Sequence, residues 1–331
     1  MSKTHPTASI VVPAYNVEAT IAETLQSLLA QTFADFEIVV VDDGSHDRTV
    51  EIVRSFEDAR IRLITQRNRG LAGAHNTGIH ESRGEFIGFC DADDLWLPEK
   101  LERHIDHFRT NPDVGISFSG SRMIDQNSRP IGIDQRPKLR NLKPADIFKR
   151  NPIGNGSAPV MRREALDGFA YRPVYETERD WWFDENFRQS DDIEGWLRFA
   201  LTQDWKIEGI PGLLTLYRIH TGALSANVER QFETWTRMRD KIGRIAPALI
   251  KRHGGAATAY QLRYLCRRAV SMRNGNLAWS LCRQSLRASP RPLLEEPVKT
   301  TITIAAAVTL KVLGAGIYLF AERSMLGRRV A

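Results

Sequence analysis

The first 120 residues of the chain alternate short β-branched runs with segments of helical periodicity. This alternation limits the possible fold more than any other feature, because repeated strand–helix–strand units build a largely parallel sheet covered by helices. The runs predict strands at Ser9–Val12, Glu37–Val41, Ile61–Thr65, Phe86–Phe89 and Gly115–Ser119. We therefore predict the α/β class, with a Rossmann-like, mostly parallel central sheet.

Helices are predicted on either side of these strands. Apolar residues recur on one helical face from Val17 to Gln31. Pro98 begins a second helix, because proline fits the first turn, and Asn111-Pro112 ends it. From about Asn151 the pattern changes to aromatic-rich loops, which a helix at Asp191–Thr202 follows.

The last third of the chain has a different character. Residues 225–290 are helical in pattern and rich in arginine, and Leu262–Pro290 has the small-residue spacing of a helical hairpin. We predict a main domain over residues 1–224 and a basic α-helical extension over residues 225–331.

Charge is distributed unevenly between these parts. Residues 1–220 contain 27 Lys+Arg and 34 Asp+Glu, a net charge of −7, whereas residues 221–331 contain 19 and 6, a net charge of +13. A basic half favours an anionic partner, although a solvated helical face explains it equally well. No nucleic-acid signature accompanies the basic residues. We therefore predict an anionic membrane surface as partner, and no nucleic acid.

The segment Ile302–Phe320 is 19 residues long and apolar apart from its threonines and the central Lys311. A central lysine costs about 2.5–3.5 kcal/mol on the insertion scale, which about nine strongly apolar residues only just offset. The segment therefore spans a membrane, lies on one, or packs against protein, including a second subunit. The arginines that follow it suit a cytoplasmic leaflet.

Polar segments follow three of the predicted strands, at the sheet edge where α/β proteins bind ligands. They are Pro13-Ala14-Tyr15-Asn16, Asp42-Asp43-Gly44-Ser45 and Cys90-Asp91-Ala92-Asp93-Asp94. Five carboxylates gathered there repel one another unless a cation lies among them. Mg²⁺ or Mn²⁺ takes such oxygen ligands together with phosphate oxygens. The sequence thus predicts a divalent metal site; helix capping or polar turns are the alternative.

In order and spacing these motifs closely resemble the family 2 glycosyltransferases, inverting enzymes of GT-A fold. The resemblance covers about residues 8–220. It is carried by Ile10–Glu18, Gln31-Thr32-Phe33, Phe36–Ser45 with Asp47, Asn68–Ala72 with Asn76, Gly78 and Ile79, Gly84–Ile87, and Asp91–Asp94 with Pro98. The resemblance implies a GT-A catalytic domain over residues 1–224.

The resemblance also implies roles for individual residues. The nucleotide sugar would contact Pro13, Ala14, Tyr15, Glu18, Asp43, Asn76, Asp91 and Ala92, with Asp91 towards the ribose. Asp93 would hold the metal, and His220 would be a further metal ligand unless it is structural. Arg218 would meet a phosphate. His75 departs from the family, which usually has an arginine there.

The segment Ser190–Arg198 resembles the acidic pair that begins a helix in the family. By position Asp192 matches the base that takes the proton of the acceptor hydroxyl. An ordinary aspartate, with a pKa near ~3.9, is ionised at neutral pH and can accept that proton. The alternative is that Ser190 caps a helix whose first turn favours acidic residues.

The implied function is an inverting, metal-assisted glycosyltransferase. It would move a sugar from a nucleoside diphosphate, a UDP-sugar first, to a hydroxyl of a glycan or lipid-linked acceptor in cell-surface polysaccharide or glycoconjugate synthesis. Three dispersed cysteines and a polar N-terminus predict a cytoplasmic protein, peripheral at the inner face of the membrane. A nucleotidyltransferase, or an inactive nucleotide-binding or membrane-scaffold protein, is the alternative; the former would show a Gly-rich phosphate loop.

Overall fold

The computed structural model describes residues 5–188, 190–219 and 228–327, with the side chains of the last helix described as far as Gly316. The chain forms two compact units. The first extends to Ile147 and resumes from Asn151 to Ala223, and the second consists of Phe148–Arg150 and the residues from Leu224 onwards. The sequence divides the chain by function, into a catalytic domain over residues 1–224 and a basic extension over residues 225–331, and this functional division stays a prediction.

The five predicted strands are all present in the first unit, three of them longer than predicted. They are β1 (Ala8–Ala14), β2 (Phe36–Asp42), β3 (Ile61–Thr65), β4 (Phe86–Phe89) and β6 (Val114–Ile124). Every residue of β1, β2 and β4 is buried. Strands buried on both faces have unbroken apolar runs rather than alternating patterns, which is why the sequence reveals them.

The sheet is parallel in its first half and mixed in its second. Its strand order is β3-β2-β1-β4, followed by β8 (Pro159–Arg162), β6, β9 (Lys206–Arg218) and β5 (Leu95–Trp96), and β7 (Pro130–Gln135) pairs with β6. β1 pairs in parallel with β2 and β4, and β2 with β3, whereas β8 (Pro159–Arg162) runs antiparallel between β4 and β6. The α/β class is confirmed, and the parallel arrangement holds for the strands that begin the chain.

Four strands lie where the sequence predicts none. Besides β8 they are β5 (Leu95–Trp96), β7 (Pro130–Gln135) and β9 (Lys206–Arg218). β5 and β8 are too short to show a periodicity, and β9 contains Gly209, Pro211 and Gly212. The prediction of loops alone between Asn151 and the helix at 191 is therefore wrong at β8, where pairing in the sheet overrides local pattern.

Helices of the first unit pack against this sheet. They are α1 (Ile21–Leu29), α2 (Thr49–Arg54), α3 (Gly70–Glu81), α4 (Lys100–Thr110), α5 (Pro144–Arg150, which continues into the second unit), α6 (Arg163–Asp167) and α7 (Asp191–Thr202). The apolar faces of α1 and α4 share one core with β1 and β2. α7 matches its predicted bounds, whereas α1 begins four residues after Val17 because a turn precedes it.

The second unit is helical, as predicted. It contains α8 (Val228–Ile245), α9 (Pro247–Ser271), α10 (Gly275–Ala288), α11 (Arg291–Glu295) and α12 (Pro297–Gly327). The predicted hairpin is confirmed by α9 and α10, which share a core that includes Leu265, Ala269 and Leu281. The helical path of α12 breaks at Gly314, where φ is 78°.

Candidate active site

The loops after β1 and β2 hold each other by side chain to backbone hydrogen bonds. The amide of Asn16 donates to Ser45 Oγ at 3.0 Å, and Asn16 Oδ1 accepts from the amide of His46 at 2.8 Å. Glu18 Oε2 accepts from the amide of Arg48 at 3.0 Å. Asn16 has a φ of 52°, a left-handed conformation that asparagine tolerates better than most residues. This pairing gives the two loops a defined shape.

The predicted nucleotide contacts on this loop differ in accessibility. Pro13 and Ala14 are buried at the end of β1, where they pair with Val41 and Asp42 of β2. Tyr15 is 47% exposed. Its side chain is thus not confined to the core and is available to a ligand, whereas Pro13 and Ala14 would form the floor beneath it.

Asp43 is buried and both of its carboxylate oxygens accept hydrogen bonds from the loop before α3. Oδ1 accepts from Gln66 Nε2 at 2.7 Å and from the amide of Arg69 at 2.8 Å, and Oδ2 accepts from the amide of Gly70 at 2.8 Å. Asp42 Oδ1 accepts from the amide of Ser45 at 3.2 Å. The expectation that five carboxylates surround one cation is therefore corrected, because these two are compensated by N–H donors. A nucleotide contact by Asp43 stays a prediction.

The three aspartates after β4 form a separate cluster. Each of Asp91, Asp93 and Asp94 offers an oxygen within 4.8 Å of the others. Asp94 is fully buried, with Oδ2 accepting from Ser157 Oγ at 2.5 Å and Oδ1 from the amide of Arg218 at 2.8 Å. Asp94 thus anchors the cluster to the protein, which leaves Asp91 and Asp93 as its ligand-facing members.

The environment of Asp91 fits a divalent metal ion or a hydroxyl-rich ligand. Its Oδ1 is buried and has no hydrogen-bond partner among the described residues. Burial and, to a lesser extent, the nearby carboxylates of Asp93 and Asp192 raise the pKa of Asp91 to about 7. A cation at this position would relieve both effects, and hard cations take carboxylate oxygens. The cluster could therefore hold a divalent ion. Ala92 lies buried between the two aspartates.

Arg218 occupies a different position from the one predicted. Its side chain is 1% exposed and contacts protein groups throughout. Nε donates to the Asp93 carbonyl at 2.7 Å, and the two terminal nitrogens donate to the Asp125 carbonyl at 3.1 Å and to Glu23 Oε2 at 2.8 Å. The phosphate contact expected of Arg218 is thus corrected: its guanidinium holds the peptide of Asp93. His220 lies outside the described residues.

Two adjacent aspartates begin α7 beside this cluster. Burial raises the pKa of Asp192 to about 6, and burial together with the charge of Asp192 raises the pKa of Asp191 to about 8. Asp191 is buried and Asp192 is half-buried. Ser190 makes no capping bond through its side chain, and its φ of 62° is rare for serine. The capping alternative is therefore not what the structure shows.

Asn76, a predicted nucleotide contact, uses its full hydrogen-bonding capacity within the protein. Its amide nitrogen donates to the Phe183 carbonyl at 2.8 Å and to Glu185 Oε1 at 3.0 Å. Its oxygen accepts from the amides of Trp182 and Phe183, both at 2.9 Å. An asparagine side chain has two donors and two acceptor sites, so a direct nucleotide contact would require breaking one of these bonds.

His75 is a site residue whose surroundings the sequence did not reveal. It is fully buried, with its ring 5.5 Å from that of Phe89 and 5.4 Å from that of Phe183. Burial lowers its pKa to about 4, so the ring is neutral. Neither ring nitrogen has a hydrogen-bond partner among the described residues, and Nε2 lies 4.0 Å from Asp91 Oδ1. His75 therefore borders the acidic cluster with unused polar atoms.

The aromatic segment before α7 is mainly core. Trp181, Trp182 and Phe183 are buried, which favours the core interpretation over an acceptor pocket lined by these rings. Arg69 ties this segment to α3 through ion pairs with Glu176, Glu178 and Glu185. The guanidinium of Arg69 is therefore engaged by carboxylates of the protein, although its side chain is 24% exposed.

The sequence matches the model of the family described as Glycosyl transferase family 2 over residues 9–169. It is 40% identical over 175 residues to the UDP-Glc:alpha-D-GlcNAc-diphosphoundecaprenol beta-1,3-glucosyltransferase WfgD of Escherichia coli, across 53% of this chain and 67% of that protein. The chain belongs to glycosyltransferase family 2. It is thus a glycosyltransferase, and it spans between 54% and 67% of the length of three relatives.

Solved structures show the same fold. TarS 1-349 of S. aureus in complex with UDP-GlcNAc superposes with a TM-score of 0.58 at 19% identity, over 92% of this chain and 90% of that one. The mannosyltransferase PcManGT from Pyrobaculum calidifontis, in complex with GDP-Man and Mn²⁺, gives 0.57 at 19% identity, over 94% and 88%. The predicted GT-A fold with a C-terminal helical region is confirmed.

Proposed function

We propose that this glycosyltransferase transfers a sugar with inversion from a UDP-sugar to a hydroxyl of a lipid-linked or glycan acceptor. One observation carries the proposal. The charges of both Asp93 and Asp192 act on Asp91, so the candidate base at the start of α7 lies beside the candidate donor site after β4. An in-line displacement needs these two groups on opposite sides of one reacting carbon.

On the donor side, Tyr15 would contact the base and Asp91 the ribose, while Arg218 and Ser157 hold the acidic loop in position. Asp93 would be the main metal ligand, with His220 as a second. A bound Mg²⁺ or Mn²⁺ would neutralise the charge of the departing diphosphate. The Mn²⁺ in the PcManGT complex supports this assignment.

On the acceptor side, Asp192 takes the proton of the attacking hydroxyl. The acceptor oxygen forms a bond to the anomeric carbon as the bond from that carbon to the diphosphate breaks, and the nucleoside diphosphate leaves with the bonding electrons. A pKa of about 6 keeps Asp192 ionised at neutral pH and makes it a better base than an ordinary aspartate. Asp191, with a pKa of about 8, keeps its proton and adds no second charge.

The choice of donor and acceptor follows the relatives. WfgD is named for UDP-glucose and a diphosphoundecaprenol-linked GlcNAc acceptor, and the TarS complex contains UDP-GlcNAc. A putative teichuronic acid biosynthesis glycosyltransferase of Bacillus subtilis, 28% identical over 231 residues, also matches. These names support a role in cell-surface polysaccharide or glycoconjugate synthesis, on a lipid-linked acceptor at the inner face of the membrane.

Purified protein should test the proposal directly. With Mn²⁺ or Mg²⁺ and a panel of nucleotide sugars, we expect one UDP-sugar to raise the thermal stability and to be turned over with a water-soluble diphosphate-linked GlcNAc analogue. Asp192→Asn should bind that donor with unchanged affinity but transfer about 10²- to 10⁴-fold more slowly. Asp106→Asn, at an exposed position of α4, is the matched control.

Two outcomes would contradict the proposal. A preference for a guanosine or cytidine nucleotide in the binding panel would overturn the UDP assignment. Transfer by Asp192→Asn at the wild-type rate, or a product that retains the donor configuration by NMR, would overturn the inverting mechanism.

A further inference from the structure

The last long helix of the second unit packs two of its threonines, together with small and apolar residues, against the protein. Within residues 297–316 of α12 the residues that pack inward recur every three or four positions. They are Thr300, Thr303, Ala307 and Leu310, all buried. Thr300 Oγ1 donates to the Pro292 carbonyl at 2.5 Å and accepts from Arg263 Nη1 at 2.6 Å. Thr303 Oγ1 donates to the Lys299 carbonyl at 2.8 Å, so both buried threonines are accommodated by hydrogen bonds.

The outward side of the same helix carries a row of apolar residues beside the threonines Thr301 and Thr309. Its residues also recur at intervals of three or four: Val298, Ile302, Ala305, Val308 and Val312, together called the outer stripe. Val298, Ile302 and Val312 are 70%, 60% and 71% exposed. Single exposed apolar residues are common, but a stripe that continues over four turns marks an interaction surface. The outer stripe therefore has an occupant other than water.

Charge decides between a second copy and a lipid surface. Between Val228 and Gly316 the chain has 16 Lys+Arg and 5 Asp+Glu, a net charge of +11. Two copies apposed on their outer stripes would bring these like charges together, whereas an anionic phospholipid surface would neutralise them. By helical periodicity Lys299 lies on one flank of the outer stripe, and its side chain is 67% exposed, so it can reach lipid headgroups.

Packing decides how the helix meets the bilayer. The segment Pro297–Gly316 is long and apolar enough to cross a membrane. Its inner side, however, is packed against the α9–α10 hairpin, and the Lys311 ammonium bonds to Asn276 of α10. Arg283 and Arg287 of that hairpin are exposed, and exposed arginines do not enter the hydrocarbon region without large cost. A helix that keeps these contacts lies along the surface.

We propose that the outer stripe of α12 binds an anionic phospholipid surface, with the helix parallel to the membrane plane. The proposal deepens the membrane association in the proposed function, since it names the surface that would bring the enzyme to a lipid-linked acceptor. The outer stripe enters the interface between headgroups and acyl chains, and Lys299 beside it contacts the headgroups.

Vesicle flotation of the full chain tests this proposal. The protein should float with vesicles of phosphatidylglycerol and phosphatidylcholine, and not with phosphatidylcholine alone. Val298→Glu and Ile302→Glu should each lower the bound fraction more than about tenfold, because a carboxylate replaces an inserted side chain. Lys299→Gln should lower it about fivefold. Ile245→Glu, which replaces an exposed apolar residue of α8, is the matched control and should float normally.

The melting temperatures and transfer to the water-soluble acceptor should be unchanged in the stripe variants. Flotation without transfer activity would support the proposed lipid-binding surface and contradict the proposed function, so the experiment distinguishes failure of one proposal from failure of the other. Wild-type protein that does not float would overturn the proposal. It would also be overturned if sedimentation shows a dimer that Ile302→Glu dissociates while flotation persists, because a second copy would then occupy the stripe.

Discussion

The loops after β2 and β4 both present paired aspartates at one edge of the sheet, and they use them in opposite ways. The oxygens of Asp43 accept three hydrogen bonds, two of them from backbone amides at the start of α3. The Asp91 side chain is 25% exposed, but its Oδ1 is buried without a partner among the described residues, and the pKa of this carboxyl is raised to about 7. Asp43 is thus compensated by donors of the protein itself, whereas Asp91 keeps an oxygen that is available to a ligand.

The role of an acidic motif thus depends on the hydrogen-bond donors that surround its carboxylates, and the sequence of the motif alone does not show them. N–H groups that donate to a buried carboxylate replace the hydrogen bonds that the carboxylate loses when it leaves water. A carboxylate that is buried without donors is held there against its own solvation, and such sites are functional more often than structural. Asp94 is bonded to Ser157 and to the amide of Arg218 and in this respect differs from Asp91 three residues earlier, although burial and the charge of Asp93 raise the pKa of Asp94 as well.

The largest effect should come from exchanging these two carboxylates for amides. Asp91→Asn should lower donor affinity and transfer by on the order of 10²- to 10³-fold, because a ligand-facing charge is lost. Its stability should be equal or higher, since repulsion from Asp93 and Asp192 is relieved. Asp43→Asn should destabilise by about 2 kcal/mol, because the new NH₂ group faces N–H donors. Denaturant unfolding and donor titration measure both.

The proposed difference between Asp43 and Asp91 would be wrong if the two variants lost the same amount of stability and of donor affinity. An Asp91→Asn protein that unfolds as easily as Asp43→Asn would show that Asp91 is a structural carboxylate. The Asp93→Asn variant serves as the reference for loss of metal-dependent donor binding.

A second prediction concerns Arg218, whose guanidinium binds the carbonyl of Asp93 and so holds the acidic loop after β4 in position. Arg218→Lys keeps the charge but loses the fork that joins the Asp93 carbonyl to Glu23, so the acidic loop should be less ordered. Mn²⁺ affinity, followed by electron paramagnetic resonance, should fall about 10- to 100-fold, as for other groups that orient metal ligands. Arg163→Lys also loses bonds to backbone carbonyls, those of Ser82 and Gly84, but at the opposite end of β4. It should bind Mn²⁺ normally.

An Arg218→Lys protein with wild-type Mn²⁺ affinity would confine this arginine to a packing role. Loss of affinity in both arginine variants would indicate general destabilisation, and the melting temperatures of the two proteins would identify that outcome.

Much of the first half of the fold follows from the sequence, because its strands are buried on both faces and its loops carry turn and ligand residues at fixed spacing. The convergence of Asp43 and Asp91 at one edge is a consequence of parallel topology. The antiparallel β8 and the long β9 were not predictable in this way, since their place is set by partners distant in the chain.

The roles of single side chains depend still more on distant contacts. Nothing near Asn76 in the sequence shows that the segment Trp182–Glu185 saturates its amide, and nothing near Arg218 shows that Asp93 lies within reach. The one local signal was the departure at His75, which stands beside Asp91 in the structure. Motifs identify candidate site residues, and tertiary hydrogen bonds decide which of them face a ligand.

The smallest effect, and the most specific to the carboxylates with raised pKa values, is a pH dependence of stability in metal-free buffer. Burial raises the folded-state pKa values of Asp91, Asp191 and Asp192 to about 7, 8 and 6, from the usual 3.8. Above about pH 4 the folded protein therefore holds protons that the unfolded chain has released. These groups lower the free energy of unfolding as pH rises towards 8. Buried histidines such as His75 act in the opposite sense, so the effect is measured as a difference.

The melting temperature of Asp91→Asn minus that of wild type should become more positive from pH 5 to pH 8 with EDTA present. Asp43→Asn should have a lower melting temperature than wild type, and this difference should not become more positive as pH rises. Mn²⁺ should raise the wild-type melting temperature more at pH 8 than at pH 5.5, because metal ligands must be deprotonated. A difference that shrinks with rising pH would mean that Asp91 is already ionised and compensated in the folded protein, which would remove the contrast between the two loops.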